Sequence, residues 1–266
     1  MPNESGYVEV SRARLYFEQA GTGDSLVLVH GLGANTRMWD SQFEAFSRRH
    51  HVIRYDMRGF GHSSLPDGSP YTHTGDLMAL MEMLGIPQAH VIGHSMGGGV
   101  ALDFALAYPQ ALNRLVLVDP ALGGYSWSEE WVRDWEQLIT LSAQVGFKAA
   151  LPRFLEHPLL AFACQNPEVK ADLKKILGDY SGWHFKNTDP IVDLEPPAIQ
   201  RPGEVKAPTL IVLGEHDTPD FHTIAEILAK GIPAARLVKM PGVGHVAPLE
   251  APKELEKLIL DFIETH

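Results

Sequence analysis

Apolar residues in this chain gather into short dense runs, separated by longer stretches of helical period. The runs at 25–30, 51–55, 89–92, 114–118, 209–213 and 236–240 are rich in Val, Ile and Leu, and several are nearly continuous. Continuous rather than alternating apolar character marks strands buried on both faces, as in a parallel sheet covered by helices. Two further runs, 7–10 and 13–19, flank Ser11 and Arg12 and predict an opening hairpin. Helical patterns occupy 36–49, 72–84, 96–108, 221–230 and 252–265. In the last, Leu255, Leu258, Ile259 and Phe262 share one face, and Pro252 suits the first turn. Together these elements predict a doubly wound α/β fold with a mostly parallel eight-stranded sheet.

The alternation stops between 121 and 205. That stretch keeps helical periodicity, shows no convincing strand, and holds Trp127, Trp131, Trp135 and Trp183. It returns through a Pro-rich segment containing Pro190, Pro196, Pro197, Pro202 and Pro208. The reading is a core of 1–120 and 206–266, with 121–205 inserted after the strand 114–118 as a helical cap. Trp127, Trp131 and Trp135 are spaced four apart and share one helix face. The cap's own core is the expected place for that face, with the lining of a pocket as the alternative.

Chemistry enters at Val91-Ile92-Gly93-His94-Ser95-Met96-Gly97-Gly98-Gly99. A predicted strand passes through Gly-x-Ser-x-Gly straight into a predicted helix. So sharp a turn strains the serine backbone and pushes its Oγ into a cleft, and a side chain at Gly93 or Gly97 would clash. The helix start aims free N–H groups and a positive dipole end at the same place.

A serine hydroxyl needs a base, and the base needs an orienting acid. The strand 209–213 runs into Gly214-Glu215-His216-Asp217, and 236–240 runs into Pro241-Gly242-Val243-Gly244-His245. Both loops lie at strand carboxyl ends, on the edge where Ser95 emerges. Ser95, His245 and Asp217 are therefore the expected nucleophile, base and acid. His216 precedes Asp217 in the chain, against the expected order, and the His94 side chain should point away from Oγ. Asp119, just after 114–118, competes for the acid role; otherwise it caps the entry to the inserted segment. An oxyanion hole needs two convergent donors. The backbone N–H groups of Met96 and of Leu32, in the turn Leu28-Val29-His30-Gly31-Leu32-Gly33, are the candidates. The turn at 55–64 has a structural reading, with Asp56 pairing with Arg58.

Composition then removes other functions. A net charge of −11 over 266 residues argues against nucleic acid or an anionic membrane as partner. One cysteine, Cys164, excludes an intrachain disulfide framework and fits a reducing compartment, so the cytoplasm is expected. Residues 1–6 carry no basic and apolar leader, and no apolar run approaches membrane-spanning length. Dinucleotide, Walker A, His-Glu-x-x-His and Cys-x-x-Cys patterns are missing, so neither cofactor nor metal is expected.

The segments HGLG at 30–33, YDMRGFGHSS at 55–64, GHSMGG at 93–98, LVLVDP at 115–120, LGEHD at 213–217 and GHVAPLE at 244–250 together resemble the cap-bearing α/β-hydrolase superfamily. The likeness spans nearly all of the chain outside the cap and is best to small carboxylesterases and enol-lactonases. It implies a serine hydrolase acting on small esters or lactones through an acyl-enzyme. Members with an aspartate nucleophile, the haloalkane dehalogenases and epoxide hydrolases, differ at position 95. Carbon–carbon hydrolases of aromatic ring-cleavage products often carry a proline in the first oxyanion turn and a tryptophan after the histidine. This chain has Ala34 and Val246 near those places. Such a hydrolase is one alternative, and a non-catalytic ligand receptor on the same fold is another. Cofactor-free perhydrolases share a similar Ser-Met-Gly-Gly-Gly turn, which makes peracid formation a side activity to consider.

Overall fold

The computed structural model describes residues 4–265, so the reading of the chain's first residues falls partly outside the described residues. Its strands are β1 (Glu4–Val10), β2 (Ala13–Ala20), β3 (Ser25–Val29), β4 (His51–Tyr55), β5 (Ala89–His94), β6 (Leu112–Val118), β7 (Thr209–Gly214) and β8 (Ala235–Met240). They form one sheet in the order β1-β2-β4-β3-β5-β6-β7-β8. The β1–β2 hairpin and the β2–β4 pair are antiparallel, and every pair from β4 to β8 is parallel. β5 and β7 are buried at every residue, as strands covered on both faces by helices require, and β5 buries His90 and His94 along with its apolar residues.

Helices complete the alternation: α1 (Asp40–Phe46), α2 (His73–Met83), α3 (Met96–Ala107), α4 (Glu129–Val145), α5 (Phe147–Leu155), α6 (Pro158–Ala161), α7 (Pro167–Gly178), α8 (Pro219–Gly231), α9 (Ala247–Glu250) and α10 (Pro252–Ile263). The helix expected over 36–49 is split. Asn35 accepts a hydrogen bond from the Arg37 N–H and starts a 3-10 turn, Thr36–Trp39, before α1 begins. Helices α4 to α7 all fall between β6 and β7, in the stretch where the sequence alternation stops.

Strand order places the site. From β3 the chain steps to one side to form β4, then crosses to the other side to form β5. That reversal opens a crevice at the carboxyl ends of β3 and β5, the usual ligand position in an open parallel sheet. Val29 of β3 pairs with Gly93 of β5, so the residues just beyond each strand, Gly31-Leu32 and Ser95, come out side by side.

Candidate active site

Ser95 has no helical or extended backbone. Its φ is 54° and its ψ is −119°, a conformation that costs on the order of 1–3 kcal/mol for a residue with a side chain. Three hydrogen bonds hold it. The Ser95 N–H donates to the Val118 carbonyl at 3.0 Å, and the Ser95 carbonyl accepts from Gly99 at 3.1 Å and Ala121 at 2.9 Å. The flanking glycines are sterically required. A Cβ at Gly93 would lie 2.1 Å from the Gly97 carbonyl oxygen, and one at Gly97 would lie 2.4 Å from the Val29 and His30 carbonyl oxygens.

The structure brings Ser95, His245 and Asp217 into one chain of hydrogen bonds. Ser95 Oγ lies 3.0 Å from His245 Nε2. His245 Nδ1–H donates to Asp217 Oδ2 at 2.8 Å, fixing the tautomer that leaves Nε2 free to accept from the serine. Asp217 Oδ1 accepts from the Thr218 N–H at 2.6 Å. The loops after β7 and β8 press together, since a Cβ at Gly214 would meet the Gly244 carbonyl oxygen at 1.9 Å.

Groups surround His245 whose supporting contacts the sequence did not give, His94 among them although its turn away from Oγ was expected. Glu250 accepts from the Gly244 N–H at 2.8 Å and the Val246 N–H at 2.9 Å, bracketing the histidine backbone. Burial pushes the Glu250 carboxyl up, against the pull of those two amides. The Phe221 ring packs 4.4 Å from the imidazole. His94 forms no bond to Ser95; its Nε2–H donates to the His245 carbonyl at 2.7 Å. Burial, and after it the neighbouring His245, pushes His94 down to about 3, so it stays a neutral donor. The His94 and Phe221 contacts join separate elements, so no spacing rule links them to His245, whereas Glu250 reaches back only four to six residues.

The turn after β3 reaches the serine. A Cβ on Gly31 would lie 2.9 Å from His94 Nδ1 and 3.2 Å from Ser95 Cβ, so a side chain here would have to push both residues aside. His30 Nδ1 bonds the Gly31 carbonyl at 2.8 Å while its Nε2 accepts from the Met57 N–H at 3.0 Å. In a trans peptide the carbonyl and the next N–H point opposite ways. Tying down the Gly31 carbonyl therefore turns the Leu32 N–H away from it. Among the described residues, the Leu32 and Met96 N–H groups donate to no protein acceptor. Free donors on either side of a strained serine are the requirement for receiving an oxyanion.

Two expectations are corrected. Asp119 does not cap the entry to the inserted helices. It is fully buried with φ 44°, and its Oδ1 accepts from the Gly214 N–H at 2.7 Å, which ties it to the loop that carries Asp217. His245 bonds Asp217 and not Asp119. Arg58 likewise does not pair with Asp56; it forms a buried two-pronged ion pair with Asp76 at 2.7 and 2.9 Å. Asp56 instead accepts from the backbone N–H groups of Thr36 and His62, each at 2.7 Å.

A cavity of about 340 Å³ opens over Ser95 and His245. One wall is α4, whose Trp131 ring stacks on Trp127 at 4.5 Å and on Trp135 at 5.7 Å. Only Trp131 and Trp135 share a helix face, because Trp127 precedes the Ser128 cap of α4; all three rings line the cavity, where the cap's own core was the first expectation. Phe154, Leu160 and Leu177 from the other inserted helices complete the roof. Asp220 of α8 anchors that roof, accepting from Ser128 Oγ at 2.7 Å and from Tyr125 Oη at 2.9 Å. Glu136 is the one Asp, Glu, Lys or Arg side chain among the described residues on the wall. No group of three or more His, Cys, Asp or Glu among the described residues is placed to hold a metal ion, and no helix of the described residues is long and apolar enough to cross a membrane.

Residues 24–252 match the family described as alpha/beta hydrolase fold. RutD of Cronobacter sakazakii, designated a carbamate hydrolase, is 30% identical over 88% of this chain and 88% of its own. The 2-hydroxy-6-oxo-6-phenylhexa-2,4-dienoate hydrolase of Comamonas testosteroni is 27% identical over 98% of this chain and 96% of its own. Among solved structures, the enol-lactonase from Burkholderia xenovorans LB400 superimposes with a TM-score of 0.79 at 27% identity, covering 98% of this chain and all of that one.

Proposed function

This chain belongs to the α/β hydrolase fold family, and from that premise we propose that it is a serine hydrolase of small, uncharged carboxylic esters or lactones. What carries the reading is the unbroken contact from Asp217 through His245 to Ser95, at 2.8 and 3.0 Å, beneath an apolar cavity. His245 Nε2 takes the Ser95 proton as Oγ attacks the acyl carbon. The carbonyl oxygen becomes an oxyanion, and the Leu32 and Met96 N–H groups receive it. The adduct collapses to an acyl-enzyme as the imidazolium protonates the departing alkoxide. Water then attacks, His245 takes its proton, and the second collapse frees the acid and restores Ser95. In this reading 121–205 acts as the cap that roofs the reacting carbon, and the remainder is the hydrolase core.

Charge on the cavity wall favours esters over ring-cleavage acids. The dienoate relative is named for a substrate that carries a carboxylate. No Lys or Arg among the described residues lines this cavity, and Glu136 adds a negative charge. A buried carboxylate with no cationic partner is strongly disfavoured. Relatives named for carbamate hydrolysis and a neighbour named for lactone hydrolysis keep acyl transfer to water as the shared theme.

A paired-substrate assay tests the reading. A neutral aryl ester should be turned over repeatedly, with kcat/KM at least about tenfold above that of the same ester bearing a free carboxylate, given the cost of an unpaired charge. Preference for the carboxylate-bearing ester, or faster carbon–carbon cleavage of a dienoate, contradicts it.

A further inference from the structure

A tetrahedral adduct on Ser95 has three arms besides Oγ, and the site assigns two of them. The oxyanion lies at the Leu32 and Met96 N–H groups. The departing oxygen lies beside His245 Nε2, because the imidazolium that took the proton of Ser95 Oγ, 3.0 Å away, hands it on there. The wall that adjoins His245 therefore receives the alcohol part of an ester, and the acyl chain takes the rest of the cavity.

That wall is aromatic. The Phe221 ring packs 4.4 Å from the imidazole, and Trp127 and Trp131 pack against Phe221 at 5.5 and 5.6 Å. All three line the cavity, together with Trp135. The wall against the oxyanion turn is aliphatic instead. A Cβ on Gly33 would lie 3.2 Å from a Leu177 methyl, and Leu173, one turn earlier on α7, and Met38 line the cavity as well.

We propose that Phe221, Trp127 and Trp131 form a leaving-group subsite, selective for esters whose alcohol carries a flat aromatic ring and whose acyl part is compact and aliphatic. The inference rests on the triad reading given above and names the substrate class within it. Ring orientation supplies the selectivity. Trp131 stacks on Trp127 and Trp135 with interplanar angles of 17° and 9°, so its faces are covered and its edge meets the cavity. Aromatic edges are electropositive and aromatic faces electronegative, so this wall attracts the face of another aromatic ring beyond what buried area alone gives. A saturated ring of similar size has no such face. Acylation forms the bond from Oγ to the acyl carbon, breaks the bond from that carbon to the alcohol oxygen, and delivers the Ser95 proton to that oxygen through His245. The aromatic alcohol leaves, and water takes its place beside the imidazole.

Two isomeric esters test the assignment. Benzyl acetate and methyl phenylacetate contain the same atoms and the same ring, placed on opposite sides of the ester, and each releases a simple alkoxide. The ratio of their kcat/KM values should favour benzyl acetate by about tenfold, the scale of one or two edge-to-face contacts. Benzyl acetate should also exceed cyclohexylmethyl acetate by roughly threefold or more, because the saturated ring fills the same volume without a π face. Trp127→Leu should pull both ratios toward parity. A ratio compares two substrates on one protein, so it does not depend on the fraction folded. If Trp127→Leu yields no folded protein, the two wild-type ratios decide. Equal cleavage of the isomers, preference for methyl phenylacetate, cyclohexylmethyl acetate matching benzyl acetate, or ratios that Trp127→Leu leaves unchanged would each overturn the proposal. A Ser95→Ala protein that still cleaved benzyl acetate would sink the triad reading. An inactive Ser95→Ala protein, with the isomers cleaved equally by wild type, would sink the subsite alone.

Discussion

Two regions meet at the cavity, and they are built on different physics. The carboxyl edge of the sheet is polar and held by backbone. Ser95 is fixed by three main-chain hydrogen bonds, and the His245 loop by Glu250 and His94. The inserted helices present the opposite character, a stack of Trp127, Trp131 and Trp135 with aliphatic neighbours and one carboxylate. Hydrogen bonds specify angle and distance, which acyl transfer demands. Apolar walls specify volume and polarity, which selects a substrate without fixing its chemistry. Substitutions on the edge should therefore register in kcat, and substitutions on the roof in KM.

Asp217→Asn is the strongest test of that division. The amide can hold His245 in the wrong tautomer, a change that costs on the order of 10⁴ in kcat in a serine protease. KM should change little, and circular dichroism should report an intact fold. A loss confined to KM would merge the two regions.

Trp131→Ala is next. It removes the centre of the stack from the cavity wall, and lost apolar contact of about 2 kcal/mol corresponds to roughly thirtyfold in kcat/KM for an aryl ester. The account places most of this in KM. A loss carried by kcat alone would mean that α4 governs the geometry of the edge.

The smallest effect is the pH profile. Rate should rise on the acid side and then level off once the base has lost its proton, because a histidine base works only when neutral. His73 and His94, both pushed down to about 3 by burial, and His90, pushed down to about 4, remain neutral throughout and add no limb of their own. Trp131→Ala removes no charge and should leave the limb in place. A flat profile from about pH 5 to 8 contradicts a histidine base.

The same contrast explains what was legible in the sequence. Most strands on the edge are nearly continuous apolar runs, and Ser95, Asp217 and His245 each lie just beyond a strand, so their meeting at one edge was readable from order and spacing. Parallel pairing from β4 to β8 then brings strand ends together regardless of separation in sequence. The bond from Asp119 to Gly214 spans two neighbouring strands, and nothing in the local pattern around Asp119 announces it. Arg58 misled for a related reason: Asp56 stands two residues away in the chain, while the partner Asp76 approaches from α2. The tryptophan spacing put Trp131 and Trp135 on one helix face, while Trp127 precedes the Ser128 cap of α4 and joins them only by stacking; what that face covers depends on how α4 returns over Ser95.

Labelling with a fluorophosphonate probe tests the central claim most directly. The account predicts one equivalent of label on Ser95, located by mass spectrometry of the digest, and none on Ser95→Ala protein. Label on any other serine, or equal labelling of the Ser95→Ala protein, contradicts it.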